Sequence, residues 1–255
     1  MSHTTDGKIA IVTGAAMGIG MAIAAQLVKD GLTVLVSDLD EVRAAATAAE
    51  LCSQGLSAAP LGLDVSSPES IAAAFARVKE RYGRCDVIVN NAGVAKTFPF
   101  LDFPLESFLT IMAVNVTGAL LCSQHAARLM VPRRWGRIIN IASVAGMRSV
   151  GSGRTGYGTS KAAVIGMTRQ MASELAEFGI TANAVAPGPV DTPLTKVLHS
   201  DEFRAAYTAA IPMKRYGAPE EIAAVVSFLA SESASYITGA TIPVDGGFMA
   251  AGALG

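Results

Sequence analysis

Seven short apolar runs, rich in Val and Ile, alternate along this chain with longer stretches whose apolar residues recur at the period of a helix. Nearly continuous apolar runs of this length are typical of strands buried on both faces of a parallel sheet. In chain order the runs are Ile9–Val12, Thr33–Ser37, Ala59–Leu63, Val87–Val89, Arg137–Ile141, Thr181–Ala186 and Thr241–Val244. The helical stretches between them are Ile19–Asp30, Glu41–Gln54, Pro68–Tyr82, Leu105–Val131, Tyr157–Phe178 and Glu220–Ala230. The alternation predicts an α/β fold: a Rossmann-type doubly wound parallel sheet of about seven strands with helices on both faces.

The chain shows no sign of an internal division. No stretch rich in Pro, Gly or Ser separates one part of its 255 residues from another, and no segment is repeated. This length suits one α/β domain. We therefore expect a single domain over residues 1–255, with ligands bound beyond the carboxyl ends of the strands.

The composition is unusually apolar, with 16% charged and 51% hydrophobic residues and a mean hydropathy of +0.42. A membrane protein could share it, and Ile9–Val28 is an apolar stretch of spanning length. Gly14, Gly18 and Gly20 divide that stretch into a strand, a turn and a helix, and no signal-peptide pattern precedes it. We expect no membrane partner.

The net charge and the spacing of the Cys and His residues exclude further classes of protein. Twenty basic and 21 acidic side chains give a net charge of −1, without the basic footprint of a nucleic-acid-binding protein. Cys52, Cys85 and Cys122 are far apart and the three histidines are scattered, which predicts neither a disulfide framework nor a metal site. A reducing, cytoplasmic location fits this pattern best.

The segment Thr13–Gly20 joins the first strand to the first helix and carries three glycines in a G-x3-G-x-G pattern. Glycine lets the backbone turn tightly and approach a pyrophosphate, whose charge meets the amino end of the following helix. A glycine-rich turn alone is a weak motif, but its place between an apolar strand and a helix strengthens it. The segment predicts a dinucleotide site.

The second predicted strand is followed directly by Asp38, eighteen residues beyond Gly20. A carboxylate there accepts the adenosine ribose hydroxyls and repels a 2′-phosphate. Two unit charges about 4 Å apart at an effective dielectric of about 20 interact by roughly 4 kcal/mol. Neither Leu39 nor Met17 supplies the cation that a 2′-phosphate requires. The cofactor is therefore predicted to be NAD rather than NADP.

Polar side chains follow two later strands and begin a helix. Asn90–Gly93 follows the fourth strand, Ser143 follows the fifth, and Tyr157 and Lys161 are four residues apart in a helical stretch. That spacing places the phenol and the ammonium on one helix face. A free tyrosine has a pKa of about 10, and a nearby ammonium together with an oxidised nicotinamide ring favours the phenolate. We expect a lowered pKa for Tyr157.

With these motifs, the whole chain resembles the short-chain dehydrogenase/reductase family. The resemblance rests on residues that occur in family order over most of the sequence: Thr13–Gly20, Asp38, Asp64–Val65, Asn90–Gly93, Asn115, Ser143, Tyr157-Gly158-Thr159-Ser160-Lys161, Asn183, Pro187–Gly188 and Thr192. It implies an NAD-dependent enzyme that interconverts a secondary alcohol (a polyol, a sugar alcohol or an aryl or alkyl carbinol) and its ketone by hydride transfer.

The resemblance also implies residue roles. Tyr157 would exchange the alcohol proton as hydride leaves for the nicotinamide, and Ser143 would hold the substrate oxygen. Lys161 would bind the nicotinamide ribose and lower the Tyr157 pKa, and Asn115 would anchor a water of the proton relay. The implied cofactor-binding residues are Gly14, Met17, Gly18, Ile19, Gly20, Asp38, Leu39, Asp64, Val65, Asn91, Ala92, Gly93, Tyr157, Lys161, Pro187, Gly188, Val190 and Thr192. No metal is implied.

The substrate side departs from the family pattern. Ser143 and Tyr157 are 14 residues apart, which is long for the family, and the glycine-rich segment between them carries Arg148 and Arg154. We interpret it as a reshaped substrate loop, in which Arg154 could contact an anionic or polyhydroxylated substrate. The family's substrate lid corresponds to residues 193–212. The predicted substrate residues are Ser143, Ala145, Met147, Val150, Arg154, Tyr157, Leu194 and Leu198.

Two other functions stay open. One is a 3-oxoacyl-(acyl-carrier-protein) reductase. Such relatives generally prefer NADP and carry a basic residue where this chain has Phe178, which argues against this function, whereas the basic residue Arg128 leaves it open. The other is a nucleotide-sensing Rossmann protein without catalysis, against which the presence of both Tyr157 and Lys161 argues.

Two apolar surfaces predict self-association as a homodimer or homotetramer, which the family resemblance also implies. The first comprises four residues at helical spacing: Ala163, Met167, Met171 and Leu175. The second comprises Val225, Phe228 and Leu229 together with the final strand and Gly246-Gly247.

Overall fold

Seven parallel strands form one sheet in the order β3-β2-β1-β4-β5-β6-β7. The structure, a computed structural model, describes residues 7–198 and 200–251 and gives only the backbone of Leu194, Lys196 and Leu198. The strands are β1 (Ile9–Thr13), β2 (Thr33–Asp38), β3 (Ala58–Gly62), β4 (Val87–Asn90), β5 (Gly136–Ile141), β6 (Ile180–Pro187) and β7 (Thr241–Val244). The predicted doubly wound parallel sheet is confirmed.

Helices cover both faces of the sheet. They are α1 (Gly18–Lys29), α2 (Glu41–Ser53), α3 (Pro68–Tyr82), α4 (Leu105–Met112), α5 (Ala119–Met130), α6 (Thr155–Leu175), α7 (Pro193–Leu198), α8 (Asp201–Ala210) and α9 (Pro219–Ala230). One feature differs from expectation: the predicted helix Leu105–Val131 is interrupted by a π-helical turn, Ala113–Gly118. The predicted lid 193–212 contains the helices α7 and α8.

Helix α3 illustrates how local chemistry sets the boundaries. The Ser67 hydroxyl accepts a hydrogen bond from the Ser70 N–H at 3.1 Å, and Pro68 opens the first turn without needing a hydrogen-bond partner for an N–H. Gly83 ends the helix at φ +64°, a left-handed conformation that glycine adopts without a Cβ penalty. The helix therefore begins and ends where Ser67 and Gly83 predict.

The core consists of two layers, one on each side of the sheet, which explains the continuous apolar runs. Ala10 and Val12 of β1 pack into the layer that holds α1, α2 and α9. The alternating residues Ile9 and Ile11 pack into the opposite layer, with α3, α5 and α6. Because both faces of β1 are buried, no position on it accepts a solvated polar side chain.

The strand order places the functional edge. The chain runs outward from β1 through β2 to β3, then returns to the other side of β1 with β4. The loops after β1 and β4 therefore diverge to opposite faces and leave a crevice at their carboxyl ends, which is where ligands bind in sheets of this kind.

One helical stretch of the described chain, Leu105–Arg133, is long and apolar enough for a membrane crossing by length and composition alone. Here the π-helical turn interrupts it, and α5 contributes Cys122, Ala126 and Met130 to the core. Core helices of globular proteins have the same composition, so the stretch is weak support for a membrane role.

The two predicted self-association surfaces are smaller than expected. Met171 and Leu229 are buried within the chain's own core, and Met167, Leu175 and Val225 pack partly against it. The prediction that these residues add surplus apolar surface is wrong for Met171 and Leu229, because both helices rotate those positions towards the sheet. Phe228 remains 44% exposed.

Candidate active site

Predicted site residues from five segments lie at the carboxyl edge of the sheet. The glycine turn follows β1, Asp38 ends β2, Asn91–Gly93 follows β4, Ser143 follows β5, and Pro187 ends β6. Because parallel strands share one carboxyl edge, residues distant in sequence meet there.

The glycine turn is fastened to the end of β4. The Thr13 hydroxyl accepts the N–H groups of Asn91 and Ala92, both at 3.0 Å. In return the Asn91 side-chain amide donates to the carbonyls of Thr13 and Gly14, both at 2.9 Å. These four bonds hold the turn in one shape.

Within the turn, Gly14 and Gly20 occupy positions where a side chain would be strained or would collide with the backbone. Gly14 has φ +63°, and a Cβ on Gly20 would collide with the Gly14 carbonyl oxygen and lie 2.5 Å from the Asn91 amide. The glycines keep the backbone close to the start of α1, and the amino end of that helix suits an anion. The turn therefore fits the pyrophosphate of a dinucleotide. The predicted residues Met17 and Ile19 flank Gly18 at the start of the helix.

Asp38 borders this turn as predicted. Its carboxylate accepts N–H groups from Ala16 and Asp40, each at 3.1 Å, which orients it across the crevice mouth. Leu39 beside it is 71% exposed and offers no charge. A basic side chain is present in the first turn of α2, where Arg43 pairs with Asp40 at 3.3 Å.

Asp64 and Val65 occupy the turn that follows β3. The Asp64 carboxylate accepts the N–H and the hydroxyl of Ser66 at 2.8 and 2.6 Å. Val65 packs against the π-helical turn, where a Cβ on Gly118 would lie 2.5 Å from the Val65 carbonyl oxygen. Close approach at Gly118 thus joins the turn after β3 to the segment that carries Asn115.

Asn115 sits in the π-helical turn, a distortion that is frequent at functional sites. Its side chain exchanges two hydrogen bonds with the backbone of Val94, at 2.8 and 3.0 Å, and donates to the Ser160 hydroxyl at 2.9 Å. A Cβ on Gly93 would lie 3.3 Å from Asn115 Oδ1 and 3.5 Å from Lys161 Nζ. Asn115 therefore joins the end of β4 to α6 beside Lys161.

Ser143, Tyr157 and Lys161 meet at the start of α6. Ser143 accepts the Ala145 N–H at 3.1 Å, which caps the short turn after β5, and its side chain is also hydrogen-bonded to the Tyr157 hydroxyl. Lys161 Nζ donates to the Ile141 carbonyl at 2.8 Å and lies 5.7 Å from the centre of the Tyr157 ring. The three side chains form one contiguous polar group.

In the chain alone, the pKa of Tyr157 is raised above its ordinary value; the expected lowering depends also on an oxidised nicotinamide and stays a prediction for the cofactor complex. Burial is the main cause, and the Ser143 hydrogen bond and the Arg154 charge oppose it only in part. Burial also lowers the pKa of Lys161 to about 8. Among the chain's own groups, desolvation therefore outweighs charge, and Tyr157 is held as a neutral phenol.

An open cavity of about 800 Å³ adjoins this group. Four predicted substrate residues line it: Ala145, Met147, Val150 and Arg154. The opposite wall includes Phe100 and Leu101, which the sequence reasoning missed although an apolar pair directly after Pro99 was a signal. The side chains of Leu194 and Leu198 lie outside the described part of the structure.

The segment after β6 closes the cofactor side. A Cβ on Gly18 would lie 3.7 Å from Thr192, so the glycine turn and Thr192 face each other. Thr192 is buried and its N–H donates to the Thr195 hydroxyl at 2.9 Å, while Gly188 donates its N–H to the Val244 carbonyl at 2.9 Å. Val190 is buried in the core of the same layer as α1.

A buried polar network, missed from sequence, supports α6 from below. The Asn90 amide donates to Ser123 at 2.8 Å and to Asn140 at 2.7 Å, and the Asn140 amide donates to Thr168 at 2.9 Å. These bonds link α5, β4, β5 and α6. They fix the register of the helix that carries Tyr157 and Lys161. Among the described residues, no cluster of three or more His, Cys, Asp or Glu side chains could hold a metal ion.

Comparison with known proteins gives consistent matches over nearly the whole chain. A family model described as enoyl-(acyl carrier protein) reductase matches residues 14–249. The 3-oxoacyl-(acyl-carrier-protein) reductase FabG of Aquifex aeolicus (strain VF5) is 43% identical, covering 97% of this chain and 99% of that one.

Solved structures are similar as well. A short-chain type dehydrogenase/reductase from Mycobacterium marinum superposes with a TM-score of 0.92 at 37% identity, covering 96% of this chain and 97% of that one. A gluconate 5-dehydrogenase from Burkholderia cenocepacia, in complex with NADP and tartrate, superposes with a TM-score of 0.93 at 32% identity and 97% coverage of each chain.

Proposed function

The chain belongs to the short-chain dehydrogenase/reductase family, and on that premise we propose that it reduces a 3-oxoacyl group to the 3-hydroxyacyl group with NADH. The family and its nicotinamide dinucleotide cofactor are the established part of this statement. The observation that supports the rest is the meeting of Ser143, Tyr157 and Lys161 next to Ala145 and Gly158, which line an open cavity.

The proposed substrate class is the one that the sequence analysis kept as an alternative. A 3-oxoacyl group is a ketone and its product is a secondary alcohol, so the general class predicted from the residues contains this reaction. The name of the Aquifex relative, at 43% identity over 97% of this chain, favours the 3-oxoacyl member of that class. In the sequence analysis, Phe178 argued against a 3-oxoacyl reductase because such relatives carry a basic residue there. Phe178 packs against the core after the end of α6, away from the cavity. It therefore does not bear on the ketone chemistry.

The cavity suits an acyl substrate. Phe100 and Leu101 are 75% and 92% exposed at its rim, and Met147 and Val150 line it from the reshaped loop. Apolar surface of this kind is expected where an alkyl chain binds.

The proposed chemistry assigns each polar group a task. When bound, the nicotinamide would supply the hydride. Tyr157, held as a neutral phenol, donates a proton to the substrate oxygen, and Ser143 donates a hydrogen bond to the same atom. Lys161 would bind the cofactor ribose, and Asn115 joins the segment after β4 to α6. The protonated phenol is the form that donates to a ketone oxygen, and the phenolate is the form that accepts the alcohol proton in the reverse reaction.

The preference for NAD over NADP is part of the proposal. The Asp38 carboxylate is held at the end of β2, beside the glycine turn, where a 2′-phosphate would meet its charge. The Burkholderia structure contains NADP, so the preference is decided by the residues of each chain rather than by the fold. A ratio of kcat/KM for NADH over NADPH below one contradicts the assignment.

A second candidate is oxidation of a sugar acid such as gluconate, favoured by the Burkholderia enzyme's name and its TM-score of 0.93. The test measures kcat/KM for 3-oxobutanoyl thioesters of coenzyme A and acyl carrier protein with NADH, against gluconate with NAD and NADP. We expect the thioesters to be the better substrates by more than about tenfold. Faster turnover of gluconate would replace the first candidate by the second.

Self-association as a homodimer or homotetramer and a cytoplasmic, reducing location complete the proposal. The exposed Phe228 and the exposed α4 residues Leu105 and Leu109 support association, and the three free cysteines agree with a reducing location. A sedimentation mass equal to the 26.2 kDa of one chain would exclude association.

A further inference from the structure

We propose that Arg154 makes the open cavity beside Tyr157 a subsite for an anionic oxygen group of the substrate, a carboxylate or a phosphate, and thereby selects substrates that carry one. This inference rests on the proposed function and adds the charge of the substrate to it.

The charge of the cavity wall is the first support. Among the residues that line the cavity, Arg148 and Arg154 are basic and Asp102 is the acidic one. Arg154 is half-buried, and its guanidinium carbon lies 6.0 Å from the centre of the Phe203 ring. A guanidinium partly removed from water binds an anion more strongly than a fully solvated one does.

The backbone that carries Arg154 is anchored on both sides. The Gly153 carbonyl accepts the Phe98 N–H at 3.2 Å, and a Cβ on Gly153 would lie 2.5 Å from the Thr97 side chain. After it, the Arg154 carbonyl accepts the Gly158 N–H at 2.7 Å. Arg154 therefore projects from a fixed point of the loop rather than from a free tip.

Its position relative to the catalytic group is the second support. Arg154 directly precedes the first residue of α6 and Tyr157 lies in the first turn of that helix, so both side chains start from the same end of α6. The proposal places the substrate carbonyl at Ser143 and Tyr157 and its anionic group at Arg154. The Arg154 charge also opposes part of the burial-driven rise in the pKa values of Tyr157, Tyr207 and Tyr216, so that charge lies near all three rings.

Neighbouring arginines have a different setting. Arg204 pairs with Asp191 at 3.2 Å and lies 4.3 Å from the Tyr216 ring centre. Arg148 donates to the Phe248 carbonyl at 3.4 Å and covers that ring at 4.9 Å. Arg204 belongs to α8 and does not line the cavity, and Arg148 lines it from beside Phe248, whereas Arg154 lines it from the start of the helix that carries Tyr157.

The test compares substrates that differ in charge but not in the reacting ketone. The free acid 3-oxobutanoate carries a carboxylate, and its methyl ester is neutral. The 3-oxobutanoyl thioester of coenzyme A carries phosphates, and that of N-acetylcysteamine is neutral. Each is assayed with NADH and the wild-type chain, Arg154→Gln and Arg154→Lys. Arg133→Gln is the matched charge control, because Arg133 is exposed at the opposite, amino end of β5.

We expect Arg154→Gln to lower kcat/KM about 10- to 100-fold for the anionic member of one pair, with less than about threefold change for its neutral partner. Arg154→Lys should restore most of the loss. The affected pair identifies the source of the anion: the acid and ester indicate a substrate carboxylate, and the thioesters indicate a carrier phosphate. Equal losses for neutral and anionic members, or no loss in either pair, overturn the proposal.

A binding measurement separates this inference from the proposed function. Wild type that turns over neither these four ketones nor the acyl-carrier-protein thioester refutes the proposed function but leaves Arg154 testable. Calorimetry with NAD present, which permits no reduction, then compares binding of 3-oxobutanoate and of coenzyme A with binding of methyl 3-oxobutanoate. Weaker binding of an anion to Arg154→Gln than to wild type supports the anionic subsite, and unchanged binding of both anions rejects it.

Discussion

The two halves of the carboxyl edge differ in how tightly they are built. On the cofactor half, four hydrogen bonds between Thr13, Gly14, Asn91 and Ala92 fasten the glycine turn to β4. On the substrate half, the segment 145–154 borders an open cavity of about 800 Å³ with exposed apolar side chains at its rim. In the proposed function the cofactor would meet a backbone of one fixed shape, whereas the substrate would meet side chains that can change without disturbing the sheet.

Removing the Tyr157 hydroxyl should have the largest effect, because it should strongly reduce turnover on the substrate half without changing NADH binding on the cofactor half. Tyr157→Phe deletes the proton donor but keeps the ring, so kcat should fall by about 10²- to 10⁴-fold while the Kd for NADH stays within about threefold. Stopped assays and NADH fluorescence measure the two quantities. Tyr236→Phe is the control, because Tyr236 is fully exposed and distant in the fold. Retained turnover in Tyr157→Phe would remove Tyr157 from the chemistry.

A change at Asp38 should alter the cofactor half alone. Asp38→Asn keeps the shape and a hydrogen-bond acceptor for the Ala16 N–H but removes the charge. We expect the ratio of kcat/KM for NADPH over NADH to rise roughly 100-fold, because the repulsion of a 2′-phosphate is lost. The relative rates of different ketones should stay constant. A changed order of ketones would show that the halves are coupled.

Filling the glycine turn should weaken cofactor binding by a smaller factor. In Gly20→Ala the new Cβ meets the Gly14 carbonyl and the Asn91 amide, so we expect the Kd for NADH to rise about tenfold and the free energy of unfolding to fall by about 1–3 kcal/mol. Gly166→Ala is the matched control in α6, where a Cβ meets nothing within 4 Å and should stabilise the helix by about 0.5–1 kcal/mol. Destabilisation by Gly166→Ala would indicate that a second copy covers that face.

Lys161 lies between the halves, and its titration should appear as a modest pH dependence of stability. Its pKa is lowered to about 8 in the folded chain, below the ordinary value of 10.5. Between these values the unfolded chain binds more protons, so the free energy of unfolding should rise with pH from about 8 to 10. Above pH 10 the raised pKa of Tyr157 acts in the opposite sense.

The measurement is denaturant unfolding at several pH values for wild type and Lys161→Met. The variant lacks the titrating ammonium, so its curve should be flatter over this window. Parallel curves for the two proteins would mean that Lys161 does not carry the dependence.

Local sequence features were sufficient to predict the strands and the boundaries of helix α3. The strands β1 to β7 follow from apolar runs because each is buried on both faces, and Ser67 and Gly83 bound α3 through contacts within a few residues. The glycine turn and Asp38 were predicted for the same reason, since each acts through its place at a strand end. The π-helical turn was not predictable, because packing of Gly118 on Val65 comes from a distant loop.

The substrate side was predicted only in part. Ala145, Met147, Val150 and Arg154 do line the cavity, yet Phe100 and Leu101 were missed because they approach from another segment. Met171 and Leu229 were assigned to the surface, since helical spacing gives a face but not what covers it. The 3-oxoacyl substrate class was kept as an alternative and is favoured by relatives rather than by any motif.

By itself the sequence determined the α/β class, the order of strands and helices, the dinucleotide turn and the pairing of Tyr157 with Lys161, because these depend on periodicity and on spacing within one element. Tertiary structure alone decided the strand order, the joining of Thr13 to Asn91, the shape of the cavity and the raised pKa of Tyr157. Each of these depends on distances between residues far apart in the chain, and on the loss of water where they meet, which no local pattern contains.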